Sequence, residues 1–194
     1  MSKLTAKIIA FIFNPLVILI PVPYFLVNES GGSPRYSLEW MLVSFVYIFV
    51  FFLFILFGMK VGFFSDLDVS KRKERFLLFS FAILLTILYL LVLYLFRAPK
   101  ILFIGAFSVA IGLSIVEIVN RYIKASIHTA TLSALFTALV LEENWLFLLG
   151  FVLIPVIAWS RIKTKNHTPK ETFVGFVLGV VVTILIYSLF RYIV

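Results

Sequence analysis

The chain contains no cysteine. Disulfides and thiol catalysis are thereby excluded. Histidine is nearly as scarce: His128 and His167 are the two present, too few for a His-rich metal centre. Charge is thin as well, at 13% of 194 residues, where a water-soluble domain carries about a quarter. The charge that exists leans to one sign, with 17 Lys and Arg against 9 Asp and Glu. A net charge of +8 suits an anionic partner. No soluble basic domain is there to hold a duplex, so nucleic acid is not expected; a phosphorylated membrane lipid is the nearer anion. No soluble linker, low-complexity tract or internal repeat interrupts the chain, so residues 1–194 read as one integral-membrane domain.

Hydrocarbon fills the chain instead, with 63% hydrophobic residues. Seven apolar stretches each approach the length that crosses about 30 Å of bilayer core. They run from about Ala6 to Val27, Ser37 to Met59, Phe76 to Phe96, Ile101 to Val119, Ser126 to Leu141, Trp145 to Trp159 and Thr172 to Val194. Backbone groups in lipid must find partners within their own segment, so these stretches are expected to be helices. The expected fold class is all-α, a polytopic transmembrane helical bundle of six to seven spans. Asn14-Pro15 and Pro21 should bend the first. Lys3 and Lys7 ahead of that run mimic a secretion signal, but Pro21, Pro23 and Tyr24 stand where a small-residue cleavage pattern would follow. The segment therefore reads as a retained span.

Alternating spans sort the polar loops onto two faces. One face receives the N-terminus, Lys60–Arg75, Asn120–Lys124 and Ser160–Lys170. All of the 17 basic residues fall on it except Arg35, Arg97, Lys100 and Arg191. The positive-inside rule assigns such a face to the cytoplasm, the cell membrane being the expected site. An anion site would gather the same charges.

Chemistry concentrates in the last of these loops. Ser160-Arg161 is followed after five residues by His167 and after three more by Glu171. Arg161 is a fixed cation, His167 a nucleophile or acid/base, and Glu171 lies one helical turn on, close enough to orient the imidazole. Thr168-Pro169-Lys170-Glu171 is equally a capping box with Pro at the first helical position, and a basic loop running into a capped helix explains most of these residues without catalysis. A second cluster, Lys124-Ala125-Ser126-Ile127-His128, puts a histidine at the head of a membrane helix, where an ionisable group is costly without a purpose. A third, Asp68 to Arg75-Phe76, sits in the most highly charged loop.

Taken together, the three clusters resemble the motifs of the type-2 phosphatidic acid phosphatase and vanadium haloperoxidase superfamily, in its lipid-phosphatase branch. The resemblance covers residues 60 to 190. The last motif matches with Glu171 for the usual Asp. The middle one keeps Ser126 and His128, with Ala125 and Ile127 for its Pro and Gly. The first keeps Arg75, with Asp68 and Phe76 for its Lys and Pro; the missing cation is open to Lys71, Arg72 or Lys124. The resemblance implies a metal-independent, cofactor-free hydrolase, and it suggests an extracytoplasmic site where the charge bias favours a cytoplasmic one. Its substrate would be a lipid phosphate: phosphatidate, phosphatidylglycerol phosphate, or a polyprenyl phosphate or diphosphate. Arg75, Arg161, Lys124, Ser126 and the backbone N–H of Ile127 would hold the phosphate. His167 would form a phosphohistidine, Glu171 would orient it, and His128 would protonate the departing alkoxide.

Two stripes agree with such an arrangement. Glu171, Gly175 and Gly179 form one, and Ser126, Ala130, Ser133-Ala134 and Thr137 the other; small residues at this spacing let membrane helices approach closely. Two other readings compete. Asp66 and Asp68 could hold Mg²⁺ in a membrane prenyl or head-group transferase, although such sites need further acids. A catalytically decayed anion-binding carrier would also fit the altered motifs.

Overall fold

A computed structural model of the chain describes residues 2–190, and among these it consists of helices and turns without a strand. Met1 and residues 191–194 lie outside the described residues, and with them the expected end of the seventh stretch and Arg191. The α-helices are α1 (Lys3–Ile12), α2 (Pro15–Leu19), α3 (Val22–Glu29), α4 (Pro34–Lys60), α5 (Arg75–Leu95), α6 (Lys100–Asn120), α7 (Ile127–Glu142), α8 (Leu153–Lys163) and α9 (Pro169–Phe190), with 3-10 segments at Arg72–Glu74 and Trp145–Val152.

Local chemistry sets the boundaries. Asn14 Oδ1 accepts the Leu16 N–H at 2.9 Å, and Pro15 has no N–H to continue α1, so the chain breaks there and restarts as α2. Ser33 caps α4 by accepting the Tyr36 N–H at 3.3 Å, with Pro34 preset at the first helical position.

Five helical segments are long and apolar enough to cross a membrane: Pro34–Lys60, Arg72–Leu95, Lys100–Asn120, Trp145–Lys163 and Pro169–Phe190. Lys3–Leu19 with Val22–Glu29, broken around Pro21, make a sixth if counted as one. The protein is thus an integral-membrane helical bundle, with five to six such spans among the described residues where the sequence allows up to seven. The difference is α7. Its 16 residues rise about 24 Å at 1.5 Å each, short of the hydrocarbon thickness.

The chain packs as two compact units, one of Met1–Val17 with Val119–Val194 and the other of Ile18–Ile118. In the second unit, Val27, Trp40, Leu93, Leu102 and two alanines form a buried cluster. Ser44 Oγ and the Tyr89 hydroxyl lie 2.6 Å apart, tying α4 to α5.

The first unit is built on α7 and α9. Ser126 N–H donates to the Glu171 carbonyl at 3.0 Å, Thr129 Oγ1 to Thr172 O at 3.0 Å and Ser133 Oγ to Phe176 O at 3.0 Å, and Tyr187 OH reaches Leu141 O at 3.3 Å. Both partners advance together along this ladder, so the two helices run parallel. The segment Trp145–Lys163 is the return crossing between them. Close approach is possible because Gly175 and Gly179 have no side chain. A methyl at Gly175 would overlap Ser126 O and Thr129 Oγ1, and one at Gly179 would overlap Ser133 Oγ and Ala130 O. The two small stripes of the sequence are therefore the α7–α9 contact. Each ladder bond in such a contact is worth about 0.6 kcal/mol. Thr129→Val, which keeps shape and removes the hydroxyl, is expected to lower unfolding stability by about that amount, read by thermal unfolding in detergent.

Candidate functional site

The parallel packing puts the N-termini of α7 and α9 at one end of the unit, where the C-terminus of α8 also arrives. Two helix N-termini carry partial positive charge, and α8 has Arg161 and Lys163 in its last turn. Two N-termini against the single C-terminus of α8, together with these basic side chains, leave this end of the unit electropositive.

The last turn of α8 sets the position of His167. Lys165 N–H donates to Ile162 O at 2.9 Å and Asn166 N–H to Arg161 O at 3.1 Å, the paired bonds of a Schellman C-cap. The Arg161 carbonyl also takes the His167 N–H at 3.2 Å, which holds the histidine backbone against the end of the helix. Lys165 occupies the left-handed position of this motif, with φ 62°. Glycine is usual there, and an L-residue costs roughly 1–2 kcal/mol.

His167 Nδ1 lies 3.1 Å from Glu171 Oε2, and the His167 side chain is 1% exposed. In the neutral tautomer that donates Nδ1–H to the carboxylate, the ring lone pair would lie on Nε2. Glu171 Oε2 also accepts the Thr168 N–H at 3.0 Å, while Thr168 Oγ1 accepts the Glu171 N–H at 3.3 Å. The capping box is therefore formed, and the carboxylate that closes it also orients the imidazole.

The neighbouring cluster is brought against this one. Lys124 Nζ donates to the Asn166 carbonyl, clamping the loop that carries His167. Ser126 caps α7, with its Oγ accepting from Thr129 N at 3.5 Å, and its N–H is on Glu171 O. Ile127 and His128 are the first two residues of α7; His128 is buried, as are Ser126 and Arg161. Ser160, the partner of Arg161 in the sequence pattern, has a packing role: its hydroxyl donates to Ala6 O at 2.6 Å and fastens α8 to α1.

A shallow cleft of about 420 Å³ opens over this arrangement, walled by Lys124, Lys165, Asn166, His167, Thr168 and Glu171 among others. His128, Ser126 and Arg161 are not on that wall. The cleft thus counts His167 among its wall residues, with a side chain only 1% exposed, and His128 lies off it, buried in the first turn of α7. Lys165 and Asn166 are wall residues that the sequence pattern did not single out. No residue-type signal marks Lys165, since the turn it closes ordinarily announces itself with glycine.

Arg75, Arg72 and Lys71 belong to the second compact unit. Arg75 is 2% exposed and its Nε donates to the Val69 carbonyl at 3.0 Å. Val69 is buried with φ 45°, an unusual conformation for a β-branched residue, so Arg75 braces a strained loop. Arg72 is exposed, and Lys71 Nζ pairs with Glu74 Oε1 at 3.3 Å. The acids of this loop have structural partners. Asp66 Oδ1 accepts from Asp68 N, Ser70 N and Ser70 Oγ, and Glu74 Oε2 from Ser65 N and Oγ. Among the described residues no group of three or more His, Asp or Glu is placed to hold a metal ion.

Comparison of the chain with protein-family models, with curated proteins and with solved structures found no match.

Proposed function

We propose that the protein hydrolyses a lipid phosphate, without a metal, through a phosphohistidine on His167. The observation that carries this reading is the His167–Glu171 pair at 3.1 Å beside a lysine-walled cleft where the N-termini of α7 and α9 meet the C-terminus of α8. A buried imidazole whose Nδ1 is held by a carboxylate presents Nε2 as a nucleophile. In the first step Nε2 attacks phosphorus and the bond from phosphorus to the lipid oxygen breaks. The departing alkoxide requires a proton, a role that the sequence resemblance gives to His128 although that ring is buried off the cleft wall, and a base is then needed for the water that releases phosphate. Charge spreads over the three equatorial oxygens in the transition state, and the basic cleft and the two helix N-termini stabilise it there.

Phosphatidate, phosphatidylglycerol phosphate and polyprenyl phosphates or diphosphates share the phosphate this chemistry needs, with a tail that stays in the bilayer. The basic excess among the loops at this end of the unit supports a cytoplasmic cleft at the cell membrane.

Glu171→Gln separates this reading from the bland one. Glutamine closes a capping box as glutamate does, so the helix start is retained. Its amide carries no charge to stabilise the imidazolium that forms. Phosphate release from a panel of these lipids in detergent, with chelator present, is expected to fall about 10²-fold in the variant while its thermal unfolding stays near wild type. Equal turnover in the two proteins would reduce Glu171 to a helix cap.

A further inference from the structure

We infer that Lys165 is a phosphate-binding cation of the His167 cleft, a role that sequence spacing leaves open among Lys71, Arg72 and Lys124; the inference rests on the reading of that cleft as a phosphate site. Three observations lead to it. Lys165 stands on the cleft wall beside His167. It does so at φ 62°, in the left-handed position of the α8 C-cap, where backbone bonds and the Thr164 hydroxyl close the turn and the lysine side chain contributes none of them. Glycine would close that turn with less strain, so the lysine side chain is not there for the turn. Its ammonium, finally, has no hydrogen bond or ion pair with the protein among the described residues, whereas Lys124 donates to the Asn166 carbonyl and Lys71 is paired with Glu74 at 3.3 Å.

The electrostatics of the cleft favour the same assignment. Its one carboxylate, Glu171, is engaged by the His167 ring and the Thr168 N–H. A phosphate dianion approaching Nε2 meets that negative charge and needs cations to offset it. Lys165 sits two residues before the nucleophile on a turn pinned to α8, and its long stem lets the ammonium follow the phosphate through both steps. The ligand is a phosphate monoester dianion, whether carried by a lipid or free in solution.

The test uses the full chain in detergent and two probes, orthophosphate and dioctanoyl phosphatidate. In Lys165→Gly the thermal midpoint without ligand should rise by about 2–4 °C, because the left-handed strain is relieved. Affinity for both probes should fall about tenfold, the effect of one charged hydrogen-bond partner. Lys165→Arg should restore the affinity and lose the gain in midpoint. A surface lysine without a ligand would give the rise in midpoint alone. Affinities unchanged within twofold for both probes overturn the inference and leave the histidine chemistry standing, provided that His167→Ala has lost turnover. Weakening of phosphatidate alone also overturns it, since the loss would lie with glycerol or chains. Failure of wild-type protein to bind either probe overturns the phosphate reading of the cleft itself.

Discussion

His167→Ala should lose phosphate release from lipid phosphates by about 10⁴-fold or more, the scale on which removing a nucleophile acts in enzymes whose groups work as a unit. The fold should survive the change. The turn carrying His167 is closed by Asn166 and His167 backbone N–H groups on the Arg161 carbonyl, and alanine keeps both bonds. Glu171 keeps its bond from Thr168 N–H, so the start of α9 is not released. What disappears is the ring held at 3.1 Å from that carboxylate. Size exclusion and helical circular dichroism should match wild type while turnover collapses. Activity within tenfold of wild type would move the nucleophile to another residue.

The second large effect is on the bundle itself. Gly179→Leu should lower stability by about 3 kcal/mol, the upper range for forcing bulk into a packed contact. The obstruction at Gly179 is mostly backbone: a Cβ there meets the Ala130 carbonyl and comes within 2.9 Å of the Ala134 nitrogen. Neither can swing aside as a side chain would. The helices must separate, and the Ser133–Phe176 bond opens with them. Because the same ladder carries the Ser126 N–H bond to Glu171 O, the proposed phosphate release should fall together with stability. Gly112→Ala is the matched control. A Cβ at Gly112 meets nothing within 4 Å, so the change should be neutral or stabilise α6 by about 0.5–1 kcal/mol. Both are read by thermal unfolding in detergent. A Gly179→Leu protein as stable as Gly112→Ala would mean that α7 and α9 are not in this contact.

Much of this architecture was legible in residue order because lipid leaves the backbone few options. The apolar stretches became helices, and Asn14-Pro15 and Pro21 broke the first of them through a missing N–H and a side-chain bond. The small stripes on α7 and α9 foretold their packing, since spacing of four residues places glycine, serine and alanine on one helix face. The pairing of His167 with Glu171, and the capping box that shares the carboxylate, followed from the same spacing.

Backbone geometry and burial were less visible. Lys165 and Val69 adopt left-handed conformations that residue type argues against, so neither turn announced itself. Arg75 carries a guanidinium suited to phosphate, yet its Nε supports the Val69 carbonyl, a contact made by a loop conformation no motif encodes. The length of α7 misled for a different reason: its apolar character suits a span, but its 16 residues end at Glu142, and serine and threonine hydroxyls bond it to α9. Division into two compact units left no trace in composition either, because no polar linker marks it.

The account turns on a covalent bond between phosphorus and His167. Rapid acid-free quenching of the solubilised protein during turnover of ³²P-labelled phosphatidate, followed by peptide mapping, measures it directly. Acid-labile, base-stable label on the peptide containing His167, absent from His167→Ala, is the expected result. Steady phosphate release with no label on the protein, or with label on a different residue, would contradict it.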